Sequence, residues 1–285
     1  MTPPRALPTC SALWIGPTLG ALERTCLSSF VETGHPVDLY AYDDLRGVPP
    51  GVAVRDAAEV LPRSAVLRHR RTGSWSLGSN RFRYALMRTG RGVWIDCDVL
   101  CLRPLPDDPF LFGFETERRI NGAVLRLPAD APVLRDLEAI FETPRWVPPW
   151  EPLGRRLRYA AFHRLRRGFG LADMPWGVAG PNALTHYLFG RGVAGHAQPP
   201  EAFYPVRLRD ADALLSPDPT GVASRIGERT SCIHLWSQAL RAQQAPPPRG
   251  SFVAAVRDGS WREVLDGRID PSPRPVAEAR SRIEG

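Results

Sequence analysis

The chain has 285 residues, 43% hydrophobic and 24% charged, a composition that suits one large or two small globular domains with a substantial core. Its net charge is +7 and it contains no lysine, so every mechanism that requires a lysine is excluded. The basic charge permits an anionic partner such as a nucleotide or an anionic lipid surface; without interleaved aromatic and basic residues in a recognisable binding motif, nucleic acid is not expected.

Residues 1–8 hold one arginine and three prolines but no apolar stretch, so they do not read as a secretory signal, and a cytoplasmic protein is expected. No apolar run approaches the roughly 20 residues of a membrane span. "SALWIG" (11–16) reads as a short strand. Residues 19–32 carry Leu22, Cys26, Leu27 and Phe30 at helical spacing, up to a stop at Gly34 and Pro36. "VDLYAY" (37–42) and "GVAV" (51–54) follow as strands, and this strand, helix, strand order favours a parallel sheet with a right-handed crossover. Residues 79–92, "SNRFRYALMRTGRG", predict a helix capped by Ser79 and ended by Gly90. "GVWIDCDVLCL" (92–102) reads as one buried strand, "FLFGFE" and "NGAVLRLP" as two more, and residues 131–141 as a helix.

"TPRWVPPWEP" (143–152) contains four prolines and two tryptophans, which forbid regular structure and mark an insertion over about residues 143–176 within a single domain. "LGRRLRYAAFHRLRR" (153–167) then places Leu153, Leu157, Ala161 and Leu165 on one stripe among six arginines. Such a basic amphipathic helix either packs on the domain or docks peripherally on an anionic membrane surface or acceptor. "GPNALTHYLFG" (180–190) predicts another helix and "SCIHLW" (231–236) a last core strand. The domain is expected to span residues 1–244, with 245–285 a loosely held Pro-rich segment and short helix. The five cysteines, Cys10, Cys26, Cys97, Cys101 and Cys232, are odd in number and scattered, so they read as buried thiols rather than a disulfide framework or zinc site.

Two D-x-D triplets occur. Asp210-Ala-Asp212 heads a predicted helix, where capping and the helix dipole account for its charges. Asp96-Cys-Asp98 differs, because "VWI" drives it to the carboxyl end of a central strand, where open α/β sheets bind ligands. In an extended segment positions i and i+2 point the same way, so both carboxylates can converge on one cation. Oxygen ligands suit Mg²⁺ or Mn²⁺, which bridge protein carboxylates to diphosphate oxygens. Haloacid-dehalogenase-type phosphatases use a similar D-x-D-x-V/T with the first aspartate as nucleophile. That mechanism places the motif near the start of the fold and needs a distant lysine, whereas here 95 residues precede Asp96 and there is no lysine.

The stretch "SNRFRYALMRTGRGVWIDCDVLCLRPL" resembles the pattern S-D-x-x-R-Y-x-x-L-x-x-x-G-G-x-x-x-D-x-D-V-x-x-x-x-P-L of the DXD-containing sugar-transferase family (family 32-like), which includes α-1,4-galactosyl-, N-acetylglucosaminyl- and α-1,6-mannosyltransferases. "LWIG", "NGAVLRLP", "GPNALT" and "HLWS" stand in the family's order along residues 12–240. The resemblance implies a GT-A-type, Rossmann-like mixed sheet flanked by helices, an Mn²⁺ or Mg²⁺ cofactor, and retaining transfer of a hexose. The donor would be a nucleotide sugar, UDP-sugar favoured, and the acceptor a glycan or lipid-linked molecule, as in bacterial cell-envelope glycan assembly. By position, Asp96 would contact the ribose or donor sugar beside the metal, Asp98 would ligate the metal, and His234 would complete its site. Arg83 would face the donor sugar or its phosphate, which suits a planar guanidinium. Trp236 and Ser237 would lie near the diphosphate. Asn121 would offer its amide to the sugar or cap a turn before Gly122. Gly180 and Asn182 would shape the acceptor cleft, and Trp14 would flank the base or pack in the core. Two residues depart from the pattern: Asn80 stands where aspartate is usual, and Arg91 replaces the first of the paired glycines. An amide at position 80 keeps a hydrogen bond but only a neutral one, so a non-catalytic nucleotide-sugar or glycan-binding protein of the same fold is the alternative.

Overall fold

In the computed structural model, which describes residues 6–166, 168–240 and 246–265, the alternating apolar stretches become a six-stranded mixed sheet with helices on both faces. β1 (Cys10–Trp14) leads through α1 (Ala21–Glu32) to β2 (Val37–Ala41) and β3 (Val52–Asp56), three parallel neighbours as the βαβ pattern predicts. α2 (Ser76–Arg88) begins three residues earlier than expected. Ser79 is therefore inside the helix, and the Ser74 hydroxyl accepts from the Ser76 N–H at 3.2 Å.

β4 (Val93–Ile95), β5 (Val99–Cys101), β6 (Leu111–Thr116), β7 (Arg119–Arg126) and β8 (Cys232–His234) complete the strands. β4 lies parallel to β1, pairing Cys10 with Val93 and Ser11 with Trp94, and antiparallel to β7. The sheet order is β3-β2-β1-β4-β7-β6. Entry into β4 explains one of the paired-glycine positions. Gly92 has φ +84°, and a Cβ there would stand 2.2 Å from the Thr9 carbonyl oxygen, so only glycine fits. Arg91 instead points outward to Glu59 at 2.8 Å.

The single strand expected over residues 92–102 is two strands. After Ile95 the chain turns, with the Val99 N–H donating to the Asp96 carbonyl at 3.1 Å, and β5 leaves the large sheet to pair antiparallel with β8, Val99 opposite His234. The two aspartates thus converge across a turn and not along one strand face.

α3 (Pro132–Glu142), α4 (Leu153–Leu165) and α5 (Pro181–Gly190) follow. One core lies between the sheet and α1, with β5 and β8; the other lies under α2, α3 and α5, with Trp146 and Trp150 of the Pro-rich segment packed against it. β4 alternates between them: Val93 and Ile95 enter the first, Trp94 the second. All five cysteines are buried and unpaired, and burial pushes the thiols of Cys10, Cys26, Cys97 and Cys232 well above their usual range.

The segment after residue 245 is not a loose tail over its described part. Phe252, Val256 and Leu265 are fully buried in the first core, and the Ser251 hydroxyl caps the helix Phe252–Asp258 by accepting from the Ala254 N–H at 3.2 Å. The remainder of the predicted tail, 266–285, lies outside the described residues. α4 forms as expected, yet only Tyr159 of it is buried. The helix leans on Phe169 through Tyr159, Phe162 and His163, while Leu153, Leu157 and Leu165 of the predicted apolar stripe face solvent. Asp210-Ala-Asp212 sits in a 3₁₀ turn, Leu208–Leu215, with Asp210 ion-paired to Arg225 at 3.2 Å. No helix among the described residues is long and apolar enough to cross a membrane.

Candidate metal centre

β1 and β4 are parallel neighbours from which the chain proceeds in opposite directions along the strand order, to β2 from one and towards β6 and β7 from the other, and sheets of this kind bind ligands beyond the carboxyl ends of such strands. A cleft of about 690 Å³ lies there, walled by the end of β1 at Leu13 to Ile15, by α2, and by the turn after β4.

Asp96 continues the alternation of β4 on the side of Trp94 and α2. Its backbone N–H donates to the Ala123 carbonyl at 2.8 Å, and its Oδ1 accepts from both Trp94 Nε1 and Arg83 Nη2, each at 2.8 Å. Arg83 is itself buried. Its Nη1 donates to the Gly122 carbonyl at 2.6 Å, its guanidinium lies 4.9 Å from the Trp94 ring centroid, and its Nε has no partner. That packing needs glycine at 122, where a Cβ would stand 2.7 Å from both Arg83 Nη1 and Leu184 Cδ1. Arg83 therefore holds Asp96, in addition to bordering the cleft where the resemblance places the donor.

Asp98 is held from the other side. His234 on β8 brings Nε2 to 3.3 Å from Asp98 Oδ1, and the Ser237 N–H donates to Oδ2 at 2.9 Å. Burial by itself would raise the Asp98 carboxyl, but the His234 charge and hydrogen bond, with the donors of Ser237, hold it well below the usual carboxylate range. Burial likewise opposes the charged form of His234, and the adjacent Asp98 carboxylate overcomes it and raises the imidazole. Trp236 adopts φ +53°, a left-handed conformation that costs an L-residue about 1–3 kcal/mol. Its ring packs 4.0 Å from that of His234, its Nε1 donates to the Val206 carbonyl at 2.8 Å, and the turn it makes brings the Ser237 N–H to Asp98.

One ligand atom each from Asp96, Asp98 and His234 falls within 4.8 Å of the others. Two carboxylates and an imidazole form a donor set suited to a divalent ion, and His234 Nδ1 is buried without a partner. The group can hold a metal ion.

Nine of the residues singled out from the sequence line this one cleft: Trp14, Asn80, Arg83, Asp96, Asp98, Asn121, His234, Trp236 and Ser237. Trp14 sits at the wall with its Nε1 donating to the Thr18 carbonyl at 3.2 Å. The Asn80 amide lies against the backbone of Gly180. Asn121 lies within β7 and does not cap a turn; its Nδ2 donates to Glu115 Oε2 at 3.0 Å and its Oδ1 accepts from the Ala123 N–H at 2.9 Å. Gly180 and Asn182 are not on the cleft wall, although Pro181 between them is. Sequence reasoning missed Trp94, Glu115 and Glu23. Glu23 is a buried carboxylate on the cleft wall in the first turn of α1. The available signal for Glu115 was a charged residue closing the apolar run "FLFGFE".

No protein-family model matches the chain, and no curated protein matches it either.

Proposed function

We propose that the protein is a metal-dependent, retaining glycosyltransferase of GT-A type that moves a hexose from a nucleoside-diphosphate sugar, UDP-sugar favoured, to a glycan or lipid-linked acceptor. The observation that carries this reading is the convergence of Asp96, Asp98 and His234 at a sheet switch point, beside Arg83 and in a cleft large enough for a nucleotide sugar. The order of the flanking motifs supports it.

On this reading Asp96, Asp98 and His234 hold Mn²⁺ or Mg²⁺, which supplies positive charge against the charge developing on the departing diphosphate. Arg83 and Trp94 fix the first carboxylate, and Ser237 and His234 fix the second, so the anionic ligands are oriented before the donor arrives. Trp14 and Trp236 give the cleft aromatic walls that suit a base and sugar. The anomeric carbon–oxygen bond to the diphosphate breaks as the acceptor hydroxyl forms its bond from the same face. The acceptor proton passes to an oxygen of the leaving diphosphate.

The test combines calorimetric titration of UDP in Mn²⁺ with a turnover assay over a panel of nucleotide sugars. Binding and transfer are expected in the wild type and loss of both in Asp98→Asn; undiminished transfer in that variant refutes the metal role. Binding without turnover identifies the non-catalytic alternative, which Asn80 motivates. Phosphate release from p-nitrophenyl phosphate with a trapped aspartyl-phosphate identifies a phosphatase.

A further inference from the structure

A second cavity of about 530 Å³ opens beside the cleft, between α4 and the segment 69–72, and the two share Thr72 and Trp176. Part of its lining is apolar, with Tyr159, Phe162, Phe169 and Met174. Its lining also carries Arg70, Arg71, Arg158 and Arg166 against a single carboxylate, Asp173. Arg70 is engaged, donating to Asp173 at 2.8 Å and to the Gly168 carbonyl at 2.6 Å. Arg71 and Arg158 have no carboxylate partner among the described residues, and Arg166 lies over the Phe162 ring at 4.2 Å. Guanidinium groups in a half-apolar lining match the chemistry of a phosphate ester joined to a hydrocarbon.

The helix that contributes to this lining has its apolar stripe outward. Leu153, Leu157 and Leu165 are 68%, 62% and 81% exposed, and residues 153–165 include Arg155, Arg156, Arg158 and Arg164 but no acidic residue. Leucines flanked by arginines are complementary to the surface of an anionic bilayer, where the leucines enter the headgroup boundary and the arginines meet lipid phosphates.

We propose that this cavity is the acceptor subsite and takes the phosphate or diphosphate of an amphiphile, while the outer face of α4 rests on an anionic bilayer that holds the amphiphile's hydrocarbon. The acceptor role rests on the glycosyltransferase reading of the adjoining cleft; the phosphate site rests on the cavity's own arginines. Thr72 and Trp176 form the shared border across which the acceptor's hydroxyl reaches the donor.

The experiment titrates the full chain, without divalent metal, with farnesyl diphosphate and with inorganic pyrophosphate. Sedimentation with phosphatidylglycerol and phosphatidylcholine vesicles runs in parallel. Farnesyl diphosphate is expected to bind more tightly than pyrophosphate, and Arg71→Ser combined with Arg158→Ser to weaken it about tenfold or more, with UDP binding in Mn²⁺ unchanged. Leu153→Ser combined with Leu157→Ser should reduce sedimentation with phosphatidylglycerol, and wild type should favour those vesicles over phosphatidylcholine. Absence of farnesyl diphosphate binding, equal affinity in the arginine variant, or pyrophosphate binding as tightly overturns the subsite, even if vesicles bind. Equal binding to both vesicle types overturns the membrane face. If farnesyl diphosphate binds but UDP with Mn²⁺ does not, the acceptor role falls, so failure of the cleft reading is distinguishable from failure of the phosphate site.

Discussion

Arg83 Nη2 donates to Asp96 Oδ1 at 2.8 Å, and Trp94 Nε1 donates to the same oxygen at the same distance. Two donors on one oxygen leave the other carboxylate oxygen for a ligand and fasten the first aspartate of the pair to α2. Arg83→Ala would strip a donor from both Asp96 and the Gly122 carbonyl in a buried setting, and is expected to cost about 2–4 kcal/mol in urea denaturation. Arg83→Lys keeps the charge without the fork and should recover part of the stability while leaving Mn²⁺ affinity impaired. Wild-type stability in Arg83→Ala would refute the linkage.

Gly122→Ala tests the same link from the opposite strand. Its new methyl would press on Arg83 Nη1 and Leu184, each 2.7 Å away, at a cost of about 1–3 kcal/mol typical of overpacking. Mn²⁺ affinity should fall with it, because Arg83 is one of the two groups that the methyl displaces; thermal unfolding and a metal titration on the same sample read both effects.

The metal group predicts a ligand-dependent stability. At Mn²⁺ a hundredfold above its dissociation constant, the folded state should gain about 2.7 kcal/mol, reversed by chelation. Asp98→Asn should abolish the gain. A melting curve that ignores Mn²⁺ in the wild-type protein would count against the centre.

His35 supplies a pH dependence away from the site. It is buried, its Nε2 accepts from the Leu105 N–H at 2.9 Å, and its Nδ1 donates to the Pro8 carbonyl at 2.9 Å. Burial lowers its pKa below the usual 6.5, the Pro8 hydrogen bond opposing only in part. A proton on Nε2 would confront the Leu105 N–H. Because the unfolded chain takes up that proton more readily than the folded one, this contribution to stability is complete above 6.5. It declines as the pH falls below that value towards the folded pKa. His35→Ala should cost about 1–3 kcal/mol at neutral pH, by leaving buried backbone groups unpaired, and should flatten the dependence. Denaturation midpoints of both proteins between neutral and mildly acidic pH test this.

The leading strands and α1 were legible because β1 and β2 are short apolar runs buried on both faces, while α1 buries one stripe whose apolar residues recur at helical spacing. Of the site, the carboxylate pair was legible from the residues themselves, whereas Arg83, Asn80 and His234 were singled out through the resemblance; the structure brings these residues to one cleft. Asp96, Asp98, His234, Arg83 and Asn80 interrupt apolar elements with groups that are costly to bury unless they meet a partner or ligand. What remained hidden was direction. "GVWIDCDVLCL" is apolar on both sides of its aspartates because β4 and β5 are both buried, so periodicity could not mark the turn that separates them. Sequence alone determined that a carboxylate pair ends a buried strand and that a basic amphipathic helix, expected over residues 153–167, follows the Pro-rich segment. Only the tertiary structure decided that Arg83 and Trp94 share one oxygen of Asp96, that Phe252 and Leu265 belong to the core, and that the leucines of α4 point outward. A periodic pattern shows which residues share a face, but what that face meets depends on contacts between segments distant in the chain.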